Sequence, residues 1–128
     1  MSEHGAAEKF GKIALWLVTI VLGVAMIGAG ATKFISSEMW IEMFAGWGYP
    51  AAFSFVIGAL EIVGAAASFV PRFATYGATL VALIMCGAAF TVVTNPGEMG
   101  PLVPMVNIVG FGAIAFFRRG VRWTPDRG

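Results

Sequence analysis

"AAFSFVIGALEIVGAAASFV", residues 51–70, is the stretch on which the reading of this chain turns. Twenty residues of this composition are enough to cross a hydrocarbon core about 30 Å thick, yet a carboxylate, Glu61, stands in the middle. An acid at the centre of a spanning helix costs roughly 2.5 to 3.5 kcal/mol on an insertion scale. Phe53, Phe55, Val56, Ile57, Leu60, Ile62, Val63, Phe69 and Val70 each return about 0.3 to 0.6 kcal/mol, so the segment inserts despite its acid. Such a residue is seldom idle.

The same pattern recurs on both sides of this stretch. No charge falls between Lys12 and Lys33, between Arg72 and Glu98, or between Glu98 and Arg118. With 59% hydrophobic and only 12% charged residues, the chain is too apolar for a soluble domain of 128 residues. The intervals predict an all-α fold: an antiparallel bundle of four transmembrane helices, at about 13–32, 51–70, 73–93 and 102–117. A single membrane domain, 13–117, then lies between an N-terminal tail, 1–12, and a basic C-terminal tail, 118–128. The apolar run after Lys12 exceeds the 7 to 15 residues of a signal-peptide core and reads as an anchor.

Lys9, Lys12, Arg72, Arg118, Arg119, Arg122 and Arg127 fall at one end of that bundle, against Lys33 alone at the other. The positive-inside rule therefore places both termini in the cytoplasm. The short chain suits a bacterial inner membrane. "RRGVRW", 118–123, reads as a stop-transfer cluster touching anionic headgroups. A net charge of +1 without an exposed basic domain argues against nucleic acid as a partner.

The inventory of reactive groups is small. Cys86 is the only cysteine, which excludes an internal disulfide and a dithiol pair, and His4 is the only histidine. Two axial haem histidines cannot come from this chain, and no metal-ligand spacing is present. The sequence predicts no intrinsic cofactor, no metal and no catalytic cluster. It leans away from an enzyme in its own right, and at most towards a subunit of a redox enzyme.

In phase with Glu61 along its helix lie Ser54, Gly58, Gly64, Ala65 and Ser68, a small and partly polar stripe that permits close helix approach. Glu61 therefore faces other helices. Three readings of it stay open: a neutral acid donating a hydrogen bond to a backbone carbonyl, to Asn107 or to a hydroxyl of the third helix; a determinant that binds a polar headgroup or a partner helix; and a proton-handling acid. Pairing with Lys33 requires that lysine to reach inward, because Glu61 lies roughly 15 Å below the start of its helix. Gly23, Gly28, Ala29, Gly30, Thr75, Ala78, Thr79, Ala82, Cys86, Ala89, Asn107 and Gly110 read chiefly as packing positions on the other helices.

The connector "SSEMWIEMFAGWGYP", 36–50, sets Trp40, Phe44 and Trp47 at helical spacing, with Glu38 and Glu42 on another face. This predicts a short amphipathic segment in the outer interface, where Trp and Tyr settle, serving as an aromatic anchor or as a docking or lid surface over the outer mouth of the bundle. Pro50 suits the first turn of the next helix. In "TNPGEMGPLVP", 94–104, Asn95-Pro96-Gly97 is the expected turn.

Taken in order, "GATKF" at 30–34, "FAGWGYPAAF" at 44–53, "IGALEIVGA" at 57–65, the Pro71-Arg72 turn and "GAAFT" at 87–91 resemble the DoxX-like family of small four-helix membrane proteins. The resemblance covers roughly residues 13–119. It is named after a membrane subunit associated with a thiosulfate:quinone oxidoreductase, and wider relatives include an animal endoplasmic-reticulum chaperone that assists receptor assembly. It implies that Lys33 and Glu61 occupy the family's basic and acidic positions. Many relatives have a histidine just after the "GAAFT" segment, where this chain has Val92 and Val93, a departure that weakens an oxidoreductase reading.

Two functions compete. One is an accessory, assembly or chaperone-like partner of another membrane protein, with a buried polar site around Glu61. The other is a membrane subunit of a quinone-linked oxidoreductase. The expected ligand- or partner-binding residues are Glu61, Lys33, Asn107, Trp40, Trp47 and Tyr49; a quinone or a lipid is the expected ligand, and a membrane protein or a second copy the expected partner. A transporter or channel is disfavoured, because one buried acid makes a thin polar pathway.

Overall fold

The structure, a computed structural model, describes residues 2–95 and 100–122, with side chains at 5–95 and 100–118. Among the described residues the fold is all-α: α1 (Ser2–Ile35), α2 (Ser37–Gly46), α3 (Ala51–Ala67), α4 (Ala74–Thr94) and α5 (Leu102–Arg122). The turn expected at Asn95-Pro96-Gly97 lies largely outside the described residues, as do the side chains of His4, Arg119 and Arg122.

Helix limits differ from the sequence reading where charge and hydrogen bonding, rather than hydropathy, decide them. Charged residues do not break a helix, so α1 begins at Ser2 and runs through Glu8, Lys9 and Lys12 without interruption. For the same reason α5 continues past Phe117 to Arg122. In contrast, α3 stops short of Val70. Ser68 turns its hydroxyl back onto the Ala65 carbonyl at 2.5 Å, and the backbone tightens into turns up to Phe73. Pro50 stands at the cap of α3 in an extended conformation rather than in its first turn. Gly48, with a φ of 91°, makes the reversal from α2 into α3 in a conformation that favours glycine.

By length and composition α1 and α4 each suffice to cross a membrane. α2 and α3 would together make a third span, but they are bent by 115° at the Gly48 break. α3 has 17 residues, about 25 Å of rise, which is short of a full hydrocarbon core. The apolar part of α5, Leu102–Arg118, is similarly short. Large side chains such as Val21, Val63, Leu83, Val109 and Phe117 face outward. So much exposed hydrocarbon suits a lipid surround, and the chain is an integral membrane protein.

Two glycine contacts on α3 fix its neighbours. Near its middle Gly58 meets Gly30 of α1, where a Cβ on Gly30 would lie 2.7 Å from the Gly58 carbonyl oxygen. Six residues further along, Gly64 meets Gly77 of α4, and a Cβ on Gly64 would lie 3.1 Å from the Gly77 carbonyl oxygen. α4 packs along α5, with Thr75 donating to the Ala115 carbonyl at 3.2 Å. α1 touches α5 less extensively, where Leu22 covers Gly110. Met26, Ala65, Ala78, Val81, Met85, Phe111 and Ile114 form the apolar core. The Glu61 stripe is buried throughout, from Ser54 to Ser68. Gly28, Thr79 and Cys86, read from sequence as packing positions, instead face outward.

Candidate functional site

Where α1 and α3 touch at Gly30 and Gly58, the missing side chains leave a passage for Lys33. Its stem crosses Gly58, on which a Cβ would lie 3.0 Å from the lysine Cβ. Nζ then reaches inward to Glu61 Oε1 at 2.9 Å. Lys33 is 5% exposed and Glu61 3%, so the pair is shielded from water. Among the described residues Oε1 has no other donor, so it keeps unused acceptor capacity. Burial on this scale makes the two charges depend on each other, because neither has a solvent shell to fall back on.

The indole of Trp40 lies over the ammonium, 4.1 Å from Nζ to the ring centroid. Trp40 is itself held by donating to Thr32 Oγ1 at 3.2 Å, and Thr32 donates to the Ala29 carbonyl at 2.6 Å. α2 thus holds an aromatic ring against the lysine that also meets Glu61. From Trp40 an aromatic series continues through Phe44 to Trp47, Tyr49 and Phe53, with successive ring centroids 5.1 to 6.2 Å apart. The tilted and edge-on geometries are those that aromatic pairs favour.

Tyr49 ties the α2–α3 turn to α4 through a 2.8 Å hydrogen bond with Thr91. Thr91 commits its proton to the Gly87 carbonyl, also at 2.8 Å, so the phenol is the donor. Tyr49→Phe should cost about 1 kcal/mol by removing this tie. The check is a thermal melt in detergent, where an unchanged midpoint would show the tie to be idle.

These groups surround a cavity of about 470 Å³. Its size is within the range of small-molecule sites, and its wall is mostly hydrocarbon with a few polar groups, as such sites usually are. Small residues on α1 and α4, Ala29 and Ala88 among them, leave the space that the aromatic side chains of α2 cover. All six residues singled out from the sequence, Lys33, Trp40, Trp47, Tyr49, Glu61 and Asn107, line it. Asn107 does not bond Glu61; it donates to the Val103 carbonyl at 2.8 Å. Nor does Glu61 meet a hydroxyl of α4, since Lys33 takes that place.

Sequence reasoning missed Thr91, Met26 and Met85 as lining residues. Thr91 was detectable as a hydroxyl on an otherwise apolar stretch, whereas the methionines carry no signal that separates lining from core. Of the two valines that follow the "GAAFT" segment, Val92 lines the cavity and Val93 faces outward. Among the described residues no group of three or more His, Cys, Asp or Glu side chains gathers to hold a metal ion. Cys86 is exposed and outside the cavity lining.

A Bacillus subtilis (strain 168) protein named "Putative oxidoreductase CatD" is 29% identical over 93 residues, which covers 73% of this chain and 69% of that protein. No solved structure matches. The sequence profile of the DoxX-like family matches residues 17–116, which takes in Lys33, Glu61 and the whole cavity lining, and the chain therefore belongs to the DoxX-like family.

Proposed function

We propose that this protein is the membrane-embedded binding subunit of a quinone-linked redox system. It takes a lipid-soluble ring compound with carbonyl or hydroxyl oxygens into the cavity between α1, α3, α4 and α5. The observation that carries the reading is the buried Lys33–Glu61 pair in the wall of an aromatic-lined cavity of about 470 Å³. Aromatic rings and methionines offer stacking surface to a planar ring. The Lys33 ammonium is a donor to a ring oxygen, and Glu61 is the group that takes up or passes on a proton. The similarity to a protein named as an oxidoreductase lends support.

In this reading the chain's part is binding, orientation and proton handling. Reduction of a quinone to a quinol consumes two electrons and two protons, and the electrons come from a reduced cofactor of a partner enzyme. An accessory role beside another membrane protein is thus retained, and the chaperone-like reading gives way to a ligand-binding one. We place both termini in the cytoplasm of a bacterial cell and the cavity towards the outer leaflet, with α1, α3, α4 and α5 all crossing. The short α3 and the short apolar part of α5 are accommodated by local thinning of the bilayer.

The test uses a short-chain benzoquinone added to the protein in lipid nanodiscs. Because Trp40 and Trp47 line the cavity, a bound quinone should quench tryptophan emission in a saturable way. Ala88→Phe, which fills the space, should abolish the saturable component while the helical circular dichroism stays intact. Quenching that rises linearly and identically in wild type and Ala88→Phe would overturn the reading.

A further inference from the structure

The opposite end of α5 holds a second buried charge that the cavity does not explain. Phe111, Ile114 and Arg118 recur at helical spacing on the core face of α5, and Arg118 is 5% exposed, while Phe116 and Phe117 face outward. The sequence reading of 118–123 as a stop-transfer cluster touching anionic headgroups does not anticipate the burial of Arg118. Its guanidinium carbon sits 4.1 Å from the centroid of the Trp16 ring on α1. Nε and Nη2 are both buried and, among the described residues, have no hydrogen-bond partner.

Those two nitrogens form one edge of the guanidinium, the fork that grips an oxyanion through two parallel hydrogen bonds. A buried charge with that edge unmatched is costly, and native structures rarely leave such groups without a partner. We propose that Arg118 and Trp16 form a binding site for a phosphate group, supplied by an anionic phospholipid of the leaflet at this end. Lys12, one turn before Trp16 on the same side of α1, is exposed and adds a second cation for the same headgroup. Trp16, half-buried, gives the site the aromatic body that favours the headgroup level. The fork is covered in this structure, so it meets the phosphate when Arg118 turns about its outer torsions.

The experiment is native mass spectrometry of the full chain released from nanodiscs of phosphatidylcholine containing a minority of phosphatidylglycerol. Wild type should retain one phosphatidylglycerol in preference to phosphatidylcholine by about fivefold or more, the scale of one basic residue at an anionic surface. Arg118→Gln should lose the preference, Arg118→Lys should keep part of it, and Arg72→Gln, a basic residue exposed at the α3–α4 turn, should keep all of it. If inorganic phosphate raises the melting temperature of wild type but not of Arg118→Gln, and displaces the lipid, the oxyanion site stands with a soluble source. No lipid preference and no phosphate effect in wild type would overturn the proposal. So would equal losses in Arg118→Gln and Arg72→Gln. Should Arg118→Gln fail to assemble, Arg118→Lys and Trp16→Leu carry the same comparison.

Discussion

Glu61→Gln is expected to destabilise the protein by about 3 to 5 kcal/mol, the usual cost of stripping one partner from a buried ion pair. The physical reason lies in Lys33. Its ammonium is held between Glu61 at 2.9 Å and the face of Trp40 at 4.1 Å, and a neutral amide leaves it charged, buried and uncompensated. Lys33→Met alone should do comparable damage by orphaning the carboxylate. The double variant Lys33→Met/Glu61→Leu should recover most of the loss, because replacing a buried pair with hydrocarbon removes both desolvation penalties together.

Denaturant titration of these proteins in mild detergent, with Glu61→Leu added as the matching single variant, closes the cycle. If instead Glu61→Gln is as stable as wild type, the acid is a neutral hydrogen-bond donor and the pair contributes nothing to the fold. The double variant also separates assembly from function. It should fold, yet lose the saturable quinone quenching, since the cavity then offers no polar group at that wall.

The second large effect is expected at Gly77. A Cβ there would collide with the Gly64 carbonyl oxygen and lie 2.7 Å from Ala67 Cβ and 3.0 Å from the Ser68 nitrogen. Two of these are backbone atoms and cannot swing aside, so α3 and α4 must separate. Gly77→Ala should cost about 1 to 3 kcal/mol, the range for overpacking, and Gly77→Leu should prevent assembly. Gly28→Ala is the matched control. With nothing within 4 Å of the added methyl, it should be neutral or stabilise α1 by up to about 1 kcal/mol. Equal behaviour of the two alanine variants, measured by thermal melts, would show that the α3–α4 contact is looser than described.

Membrane character, helix composition and the buried face of α3 were legible in the sequence, because each depends on local properties. Hydropathy over a window gives the apolar intervals, and the 3.6-residue period groups Ser54, Gly58, Glu61 and Gly64 on one face whatever lies opposite. The aromatic spacing of 36–50 likewise anticipated a helix, and α2 is one. Even the six candidate site residues were identifiable, since a charge, amide, phenol or indole in an apolar chain stands out.

What they meet was not legible. The union of Lys33 with Glu61 depends on Gly30 and Gly58 allowing α1 and α3 to touch, a coincidence of two surfaces far apart in sequence. The cavity is a volume left between four helices and α2, and no window of sequence encodes an absence of atoms. Arg118 and Arg72 look alike in the chain, both arginines beside apolar helices. Only the rotation of α5 about its axis decides that one is buried against Trp16 while the other is exposed. The sequence by itself determined which residues avoid water and which carry charge. The tertiary structure decided which charges face each other, because pairing is set by distances between elements, and those distances follow from side-chain volume at the contacts.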